Sequence, residues 1–326
     1  MSKNNKTKKI INIFVRVFIV LAVLGGIGVG GFFILDRAVV PSYFGKYGIH
    51  NLSDLVQMVK VMHNAPDEKV FITHPYTKDH ETAVVKRLKE AGVPVENGKI
   101  VFSEIVDGNF TITEEAKKGV FVSDYELAAV LGQMLESGYL VSYLKDLSYF
   151  DTLSFEAKEI VLTPGEPTKT TEAGTQYSSS AHVSLTIKLN TTNAQKHMAK
   201  EMDVPLFLLD MILPNYLYIT STYDLKILDN NEYEVTNATL GINGRTPKQS
   251  SILLNILISF IFPAEDEMTP DKLSEKFGDI LNSGLKILGD VQFCKETTAA
   301  GDQNGIFVSL NPHIETEEPT PQPENP

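Results

Sequence analysis

A run of 19 residues without a charge, from Val17 to Leu35, constrains this chain more than any other feature. Nearly all of its side chains are apolar. As an α-helix rising about 1.5 Å per residue, the run would be roughly 28 Å long, which matches the hydrocarbon core of a bilayer. The run therefore predicts a transmembrane anchor at residues 17–35.

The charges on either side of the run predict its orientation. Residues 1–16 hold five basic side chains and no acidic one, whereas the pair Asp36-Arg37 follows the run. The positive-inside rule makes residues 1–16 a cytoplasmic basic tail and places the C-terminal body outside the cell membrane. A cleaved signal peptide is the alternative, but Leu35 to Pro41 contain no convincing small-x-small cleavage site. We therefore predict a single-pass, uncleaved membrane protein.

Glycines inside the run allow two interpretations. Gly26, Gly28 and Gly31 match the G-x-G-x-x-G nucleotide fingerprint, but the βαβ context that this fingerprint requires is missing. Ala22, Gly26 and Gly30 recur every four residues, which would let two membrane helices approach closely. The spacing predicts either an anchor homodimer or glycines that are simply common in membrane helices.

The charge balance excludes nucleic acid as a partner. The 326 residues carry a net charge of -12, and the basic N-terminus leaves the chain after residue 35 at -17. A body this acidic would repel a polyanion. Cys294 is the single cysteine, so an intrachain disulfide and a cysteine-based zinc cluster are both impossible.

Sequence composition divides the rest of the chain. We predict a juxtamembrane linker at 36–50, a small α/β region at 51–118 and an α+β main domain at 119–310. Residues 311–326 hold five prolines and few apolar side chains, which indicates a disordered tail rich in Pro and Glu.

Helical spacing of apolar residues predicts helices at Asn51 to Asn64 and at Lys78 to Ala91, the second ended by Gly92. A capping box formed by Ser123 and Glu126 predicts the start of a third. The expected apolar stripe of this third helix consists of Leu127, Val130, Leu131, Met134 and Leu135.

The β pattern is clearest in the second half of the chain. Val183 to Leu189 alternate apolar and polar residues, and Tyr216 to Leu228 and Glu232 to Ile242 flank a predicted hairpin turn. The Thr- and Ser-rich segment Pro164 to Ser180 predicts an exposed loop. Shorter strands are predicted at Lys69 to Thr73, Lys99 to Ile105, Asn109 to Thr113, Gly119 to Val122, Leu153 to Glu159, Val291 to Phe293 and Gly305 to Leu310. The fold class is α+β, with a curved antiparallel sheet packed on amphipathic helices.

The most hydrophobic stretch of the body, Ser250 to Phe262, is too short to span a bilayer. As a helix it has a very wide apolar face, formed by Ile252, Leu253, Ile256, Leu257 and Phe260. We interpret these side chains as candidates for an apolar groove that binds a lipid or other apolar ligand. The alternative is an ordinary core helix.

The densest group of polar side chains with catalytic potential includes His74, Asp79 and His80. Their spacing matches no zinc motif, and Asp79 falls in the first turn of a predicted helix, where the helix dipole favours an acid. The motifs of serine hydrolases, zinc proteases and P-loop proteins are missing. We therefore predict a protein that is not an enzyme and holds no metal or cofactor. The alternative is an exported hydrolase or cell-wall enzyme that uses these three residues.

A strand leading into a helix at Val120 to Leu127 is followed by the alternating strand Val183 to Leu189, by the hairpin around Asn230, and by Gly241 to Gly244. This order resembles the YpmS-like anchored envelope proteins of Gram-positive bacteria over roughly residues 119–310. The resemblance implies a lipid-binding-like fold in which a curved antiparallel sheet wraps an apolar helix. The predicted anchor, the missing catalytic motifs and the wide apolar face of Ser250 to Phe262 indicate a lipid, another apolar ligand or an envelope protein as the partner.

Overall fold

A computed structural model describes residues 35–44, 50–63, 67–106, 110–114, 116–138, 154–172, 174–202, 214–228, 232–246, 290–298 and 301–309, with Lys248, Ser250 and Leu254. The predicted anchor before Leu35, with Ala22, Gly26 and Gly30, and the predicted tail 311–326 lie outside these ranges. Among the residues described, no helix has both the length and the apolar character needed to cross a bilayer.

The helices are short, and one of them begins with the cap that the sequence predicts. A π-helical turn at Leu35–Val39 precedes α1 (Val40–Phe44), α2 (Leu52–His63), α3 (Glu68–Phe71), α4 (Lys78–Glu90), α5 (Phe102–Val106), a 3-10 turn (Ala116–Lys118), α6 (Asp124–Glu136) and α7 (Thr192–Met202). Thr77 and His80 form a capping box at the start of α4. Ser123 and Glu126 form the predicted box at the start of α6.

The strands form antiparallel sheets, which confirms the α+β class. They are β1 (Val95–Glu96), β2 (Lys99–Ile100), β3 (Val120–Ser123), β4 (Ser154–Pro164), β5 (Lys169–Thr170), β6 (Gln176–Ser178), β7 (Ser180–Asn190), β8 (Tyr216–Ile227), β9 (Tyr233–Ile242), β10 (Asp290–Thr298) and β11 (Gly301–Ser309). Besides the β1-β2 hairpin there is a five-stranded sheet, ordered β3-β11-β10-β6-β5, and a four-stranded sheet, ordered β4-β7-β8-β9. Only Ser179 separates β6 from β7, so the chain passes directly from one sheet to the other.

Three short segments differ from their predicted structure. Lys69 to Thr73 is not a strand, because Asp67 accepts a hydrogen bond from the Lys69 backbone N–H and starts the helical turn of α3. A run this short has no period that separates strand from helix. The strand predicted at Lys99 to Ile105 ends at Ile100, and α5 takes its place. Phe110 to Thr113 are irregular, with the Thr113 N–H donating to the Ala91 carbonyl.

The predicted loop Pro164 to Ser180 contains two strands instead. Phe293 and Lys295 of β10 pair with Ser178 and Gln176 of β6, and β6 also pairs with β5. Polar residues without a hydrophobic period are ordered here by main-chain hydrogen bonds to a strand more than 100 residues later in the chain. Such long-range pairing leaves no local signal in the sequence.

The main hydrophobic core joins both sheets to α4 and α6. Its buried members include Val84 and Val85 of α4, Val183 of β7, and Phe293 and Ile306 of the five-stranded sheet. Residues of the predicted regions 51–118 and 119–310 therefore contribute to one continuous apolar cluster. The division of the body at residue 119 stays a prediction.

Helix α6 does not bury the stripe that its sequence predicts. Leu127, Val130, Leu131, Met134 and Leu135 are all half-buried. Its fully buried side includes Ala128, Ala129, Gly132 and Gln133. These small side chains allow α6 to approach Tyr76 closely, since a Cβ at Gly132 would lie 2.6 Å from the Tyr76 hydroxyl. The buried Gln133 amide accepts from the Ile100 N–H at 2.9 Å and donates to Glu81 at 2.7 Å, which ties α6 to α4 and β2.

Gly92, which follows α4, offers a test of this packing. Its φ is +97°, and an added Cβ would lie 2.1 Å from the Thr111 carbonyl oxygen. We expect Gly92→Ala to lower the free energy of unfolding by about 3 kcal/mol, through backbone strain and a steric clash. Gly98 also has a positive φ but open space around it, so Gly98→Ala should cost only about 1 kcal/mol. Urea unfolding of the full chain in mild detergent would measure both; equal losses would contradict the packing argument.

Candidate functional site

The structure brings two of the three predicted catalytic residues together. The imidazole rings of His74 and His80 lie 5.9 and 4.8 Å from the ring of Tyr125, measured between centroids. Tyr125 is the second residue of α6, so the segment leading into α4 packs against the start of α6. Asp79 lies exposed in the first turn of α4.

In both His74 and His80, the ring nitrogen Nδ1 forms a hydrogen bond with a residue nearby in the sequence. His80 Nδ1 accepts from the Thr77 N–H at 3.1 Å, as part of the capping box. This bond makes Nε2 the protonated nitrogen when the ring is neutral. His74 Nδ1 forms a hydrogen bond with the Thr73 hydroxyl at 2.7 Å. Within the described ranges, no three His, Cys, Asp or Glu side chains are grouped so that they could hold a metal ion.

Two buried carboxylates beside this histidine–tyrosine cluster were missed by the sequence reasoning. Glu159 of β4 is 4% exposed, and its Oε2 accepts from the backbone N–H groups of Thr73 and His74, both at 2.8 Å. Asp124 is also 4% exposed and accepts from the N–H groups of Tyr125 at 2.9 Å and Leu162 at 3.5 Å. Burial raises the pKa of Asp124, and these two backbone hydrogen bonds partly oppose that rise. The only sequence signals were an acid at the start of a capped helix and a polar position in an alternating strand.

An irregularity in β4 places further charges where α3 docks. The register with β7 shifts between Ala157 and Glu159, leaving Lys158 as the extra residue. The Lys158 ammonium lies 3.3 Å from Glu68 of α3, which also accepts from the Tyr218 hydroxyl. Burial and this bond to Glu68 raise the pKa of Tyr218. The ring of Phe71 meets that of Tyr218 edge-on, with centroids 5.2 Å apart. Polar, charged and aromatic contacts therefore hold α3 on the polar face of the four-stranded sheet.

The opposite face of this sheet is apolar, and part of it is not fully covered. Phe155, Leu185, Ile187 and Ile219, here called the apolar strip, share this face and are half-buried. Further along the same face, Val183, Tyr223 and Leu225 are buried in the main core. The four residues of the apolar strip are not members of that core cluster.

The predicted apolar helix begins beside the apolar strip. The Ser250 hydroxyl accepts from the Ile242 N–H at 3.0 Å, and Ile242 pairs with Ile219 across β8 and β9. Ser250 and Leu254, the residues of this helix that the structure describes, are both buried. The candidate groove residues lie outside the described residues: Ile252, Leu253, Ile256, Leu257 and Phe260.

A cleft of about 750 Å³ lies where the predicted anchor ends, and Asp36, Arg37, His50 and Val56 are among its lining residues. The Asp36 carboxylate accepts a hydrogen bond at 2.7 Å from the N–H of Leu52, which is the first residue of α2. At this juxtamembrane cleft, a hydrogen bond therefore fixes α2 to the residue directly after the predicted span.

Substituting Glu159 tests whether its carboxylate holds the segment before α4. Glu159→Ala leaves two backbone N–H groups unpaired, so we expect a loss of about 3 kcal/mol in the free energy of unfolding. Glu159→Gln keeps an accepting oxygen and should lose about 1 kcal/mol. Glu156→Ala, at a side chain 55% exposed, is the control and should cost less than about 1 kcal/mol. Urea unfolding of the full chain would measure these losses; an equal effect of Glu159→Ala and Glu156→Ala would show that the two bonds contribute nothing.

The raised pKa of Asp124 predicts a pH dependence of stability. Because the folded chain binds this proton more tightly than the unfolded chain, the contribution is present at low pH and is lost as pH rises through the folded pKa. Asp124→Asn removes the titration. We therefore expect the stability of the variant relative to the parent to increase from about pH 4 to about pH 7. Unfolding curves across this range would measure it; a relative stability that decreases with pH would contradict the raised pKa.

No family model, no curated protein and no solved structure matches this chain in the three comparisons made with known proteins. The resemblance to YpmS-like proteins therefore stays a prediction.

Proposed function

We propose that this chain is a membrane-anchored extracytoplasmic protein that binds a lipid or other apolar ligand and is not an enzyme. The observation that carries the proposal is the half-buried apolar strip of the four-stranded sheet, formed by Phe155, Leu185, Ile187 and Ile219. Ligand sites for apolar molecules are lined mainly by side chains of this kind.

The surroundings of the apolar strip support a ligand site. The strip lies outside the main core cluster, and the predicted apolar helix starts next to it, at Ser250. A groove between this helix and the sheet would have apolar walls on both sides. The predicted anchor at residues 17–35 would keep such a groove close to a source of lipid.

The roles of the polar side chains favour binding over catalysis. His80 caps α4, and the His74 Nδ1 is engaged by Thr73. Glu159 and Asp124 accept backbone hydrogen bonds that connect β4 to the loop before α4 and to α6. These contacts explain the histidine–tyrosine cluster as part of the framework. The exported hydrolase or cell-wall enzyme remains the second candidate, because His74 and His80 do converge on Tyr125.

Crosslinking in the native membrane would test the proposal on the full chain. Cells would incorporate a fatty acid with a diazirine in its acyl chain, and after irradiation the labelled positions would be mapped by mass spectrometry. We expect labels at Leu185 and Ile187 and not at Ser184 and Lys188, because neighbouring residues of a strand face opposite sides of the sheet. The two faces of β7 therefore provide an internal control.

A matched pair of variants would show whether the label depends on the strip. Ile187→Gln should reduce labelling of β7 several-fold, whereas Ser184→Gln, on the opposite face of the same strand, should leave it unchanged. Circular dichroism would establish that both variants fold. Labels confined to the predicted anchor, or spread equally over both faces, would contradict lipid binding.

A further inference from the structure

We infer that the juxtamembrane cleft lies against the phospholipid headgroups of the outer leaflet, with Arg37 on a lipid phosphate and Val56 at the edge of the acyl region. This inference rests on the anchor of the proposed function, and it adds a surface of the body that contacts the membrane. Its partner is the bilayer that holds the anchor.

The cleft residues cannot lie far from the end of the predicted span. The predicted span ends at Leu35, and the carboxylate of the next residue, Asp36, is 2.7 Å from the Leu52 nitrogen. Helix α2 therefore starts where the chain leaves the membrane. Val56 is four residues further on, about 6 Å along the helix axis even if α2 points straight away from the bilayer. The headgroup layer is itself roughly 5–8 Å thick, so the residues around the cleft remain within or beside it.

The cleft combines an exposed guanidinium with an exposed apolar side chain. The Arg37 side chain is 82% exposed, and its guanidinium lies 4.0 Å from the Asp36 carboxylate. Val56 is 46% exposed, one of three large apolar side chains that are exposed in the described part of the chain. A guanidinium next to an exposed apolar group suits the boundary between phosphate and acyl chain, since Arg binds phosphate oxygens and apolar side chains enter the interface.

The start of α2 does not itself provide the binding site. Asp36 accepts from the Leu52 N–H, Asn51 accepts from the Asp54 N–H, and the Asp54 carboxylate accepts from the His50 N–H. Two of these bonds engage N–H groups in the first turn of α2, those of Leu52 and Asp54, and the carboxylates of Asp36 and Asp54 disfavour a free anion there. The phospholipid would therefore be bound by Arg37 and Val56 and not by the N-terminus of α2.

The chain contains no tryptophan, so a single introduced tryptophan gives an unambiguous reporter. The full chain with Val56→Trp would be reconstituted into vesicles of phosphatidylcholine and phosphatidylglycerol, with the acyl chains of the phosphatidylcholine brominated. We expect bromination to remove roughly half of the emission, because bromine quenches tryptophan only at short range. Thr170→Trp, at an exposed position of β5 in the five-stranded sheet, is the control and should keep its emission.

A second substitution separates the role of Arg37 from simple proximity. In the Val56→Trp chain, Arg37→Gln should weaken the quenching, whereas Lys60→Gln, at an exposed position of the same helix, should not. Equal effects of Arg37→Gln and Lys60→Gln would overturn the assignment of the phosphate to Arg37. If Val56→Trp does not fold, Ser53→Trp, which also lines the cleft, replaces it.

Alkaline extraction of the same vesicles distinguishes failure of the inference from failure of the proposed function. A chain that stays with the lipid after extraction is anchored, and selective quenching of Val56→Trp then supports the inference. An anchored chain whose Val56→Trp is quenched no more than Thr170→Trp overturns the inference alone. A chain that is released from the vesicles overturns the anchor, and with it both proposals.

Discussion

The buried carboxylate of Glu159 joins the segment before α4 to the four-stranded sheet. A charge 4% exposed is costly to bury, and here two backbone N–H groups, of Thr73 and His74, offset that cost. Because these residues lead directly into α4, the carboxylate fixes where α4 begins. Val84 and Val85 of α4 belong to the main core, together with side chains of both sheets.

The position of Glu159 depends in turn on the irregularity in β4. The extra residue, Lys158, lets Glu156 pair with Lys188 and Glu159 pair with Thr186, so that both carboxylates share the polar face of the sheet. Lys158 itself reaches Glu68 and so contributes to holding α3. One inserted residue thereby contributes to two attachments of the N-terminal segment, one at α3 and one at the loop before α4.

The two faces of the four-stranded sheet therefore have different roles. The polar face holds helices through charges and aromatic rings, so those side chains serve the framework. The apolar face contributes to the main core at one end, and further along it the half-buried strip lies among the buried side chains of Leu189, Leu217 and Ile242. A ligand on the strip would therefore not compete with the contacts that hold the body together. The juxtamembrane cleft is a third surface, set by the hydrogen bond between Asp36 and Leu52.

Local patterns in the sequence were sufficient for the α+β class, for strands β7, β8 and β9, and for the capping box of α6, because alternation and cap chemistry involve residues within a few positions of each other. They failed where the period was too short, as in α3, or where small residues rather than large ones made the close contact, as in α6. Only the tertiary structure decided that Glu159 meets Thr73 and His74, which are 86 and 85 residues away, and that His74 and His80 converge on Tyr125. Periodicity shows which face of an element is apolar, but the partner of that face depends on the packing of the whole chain.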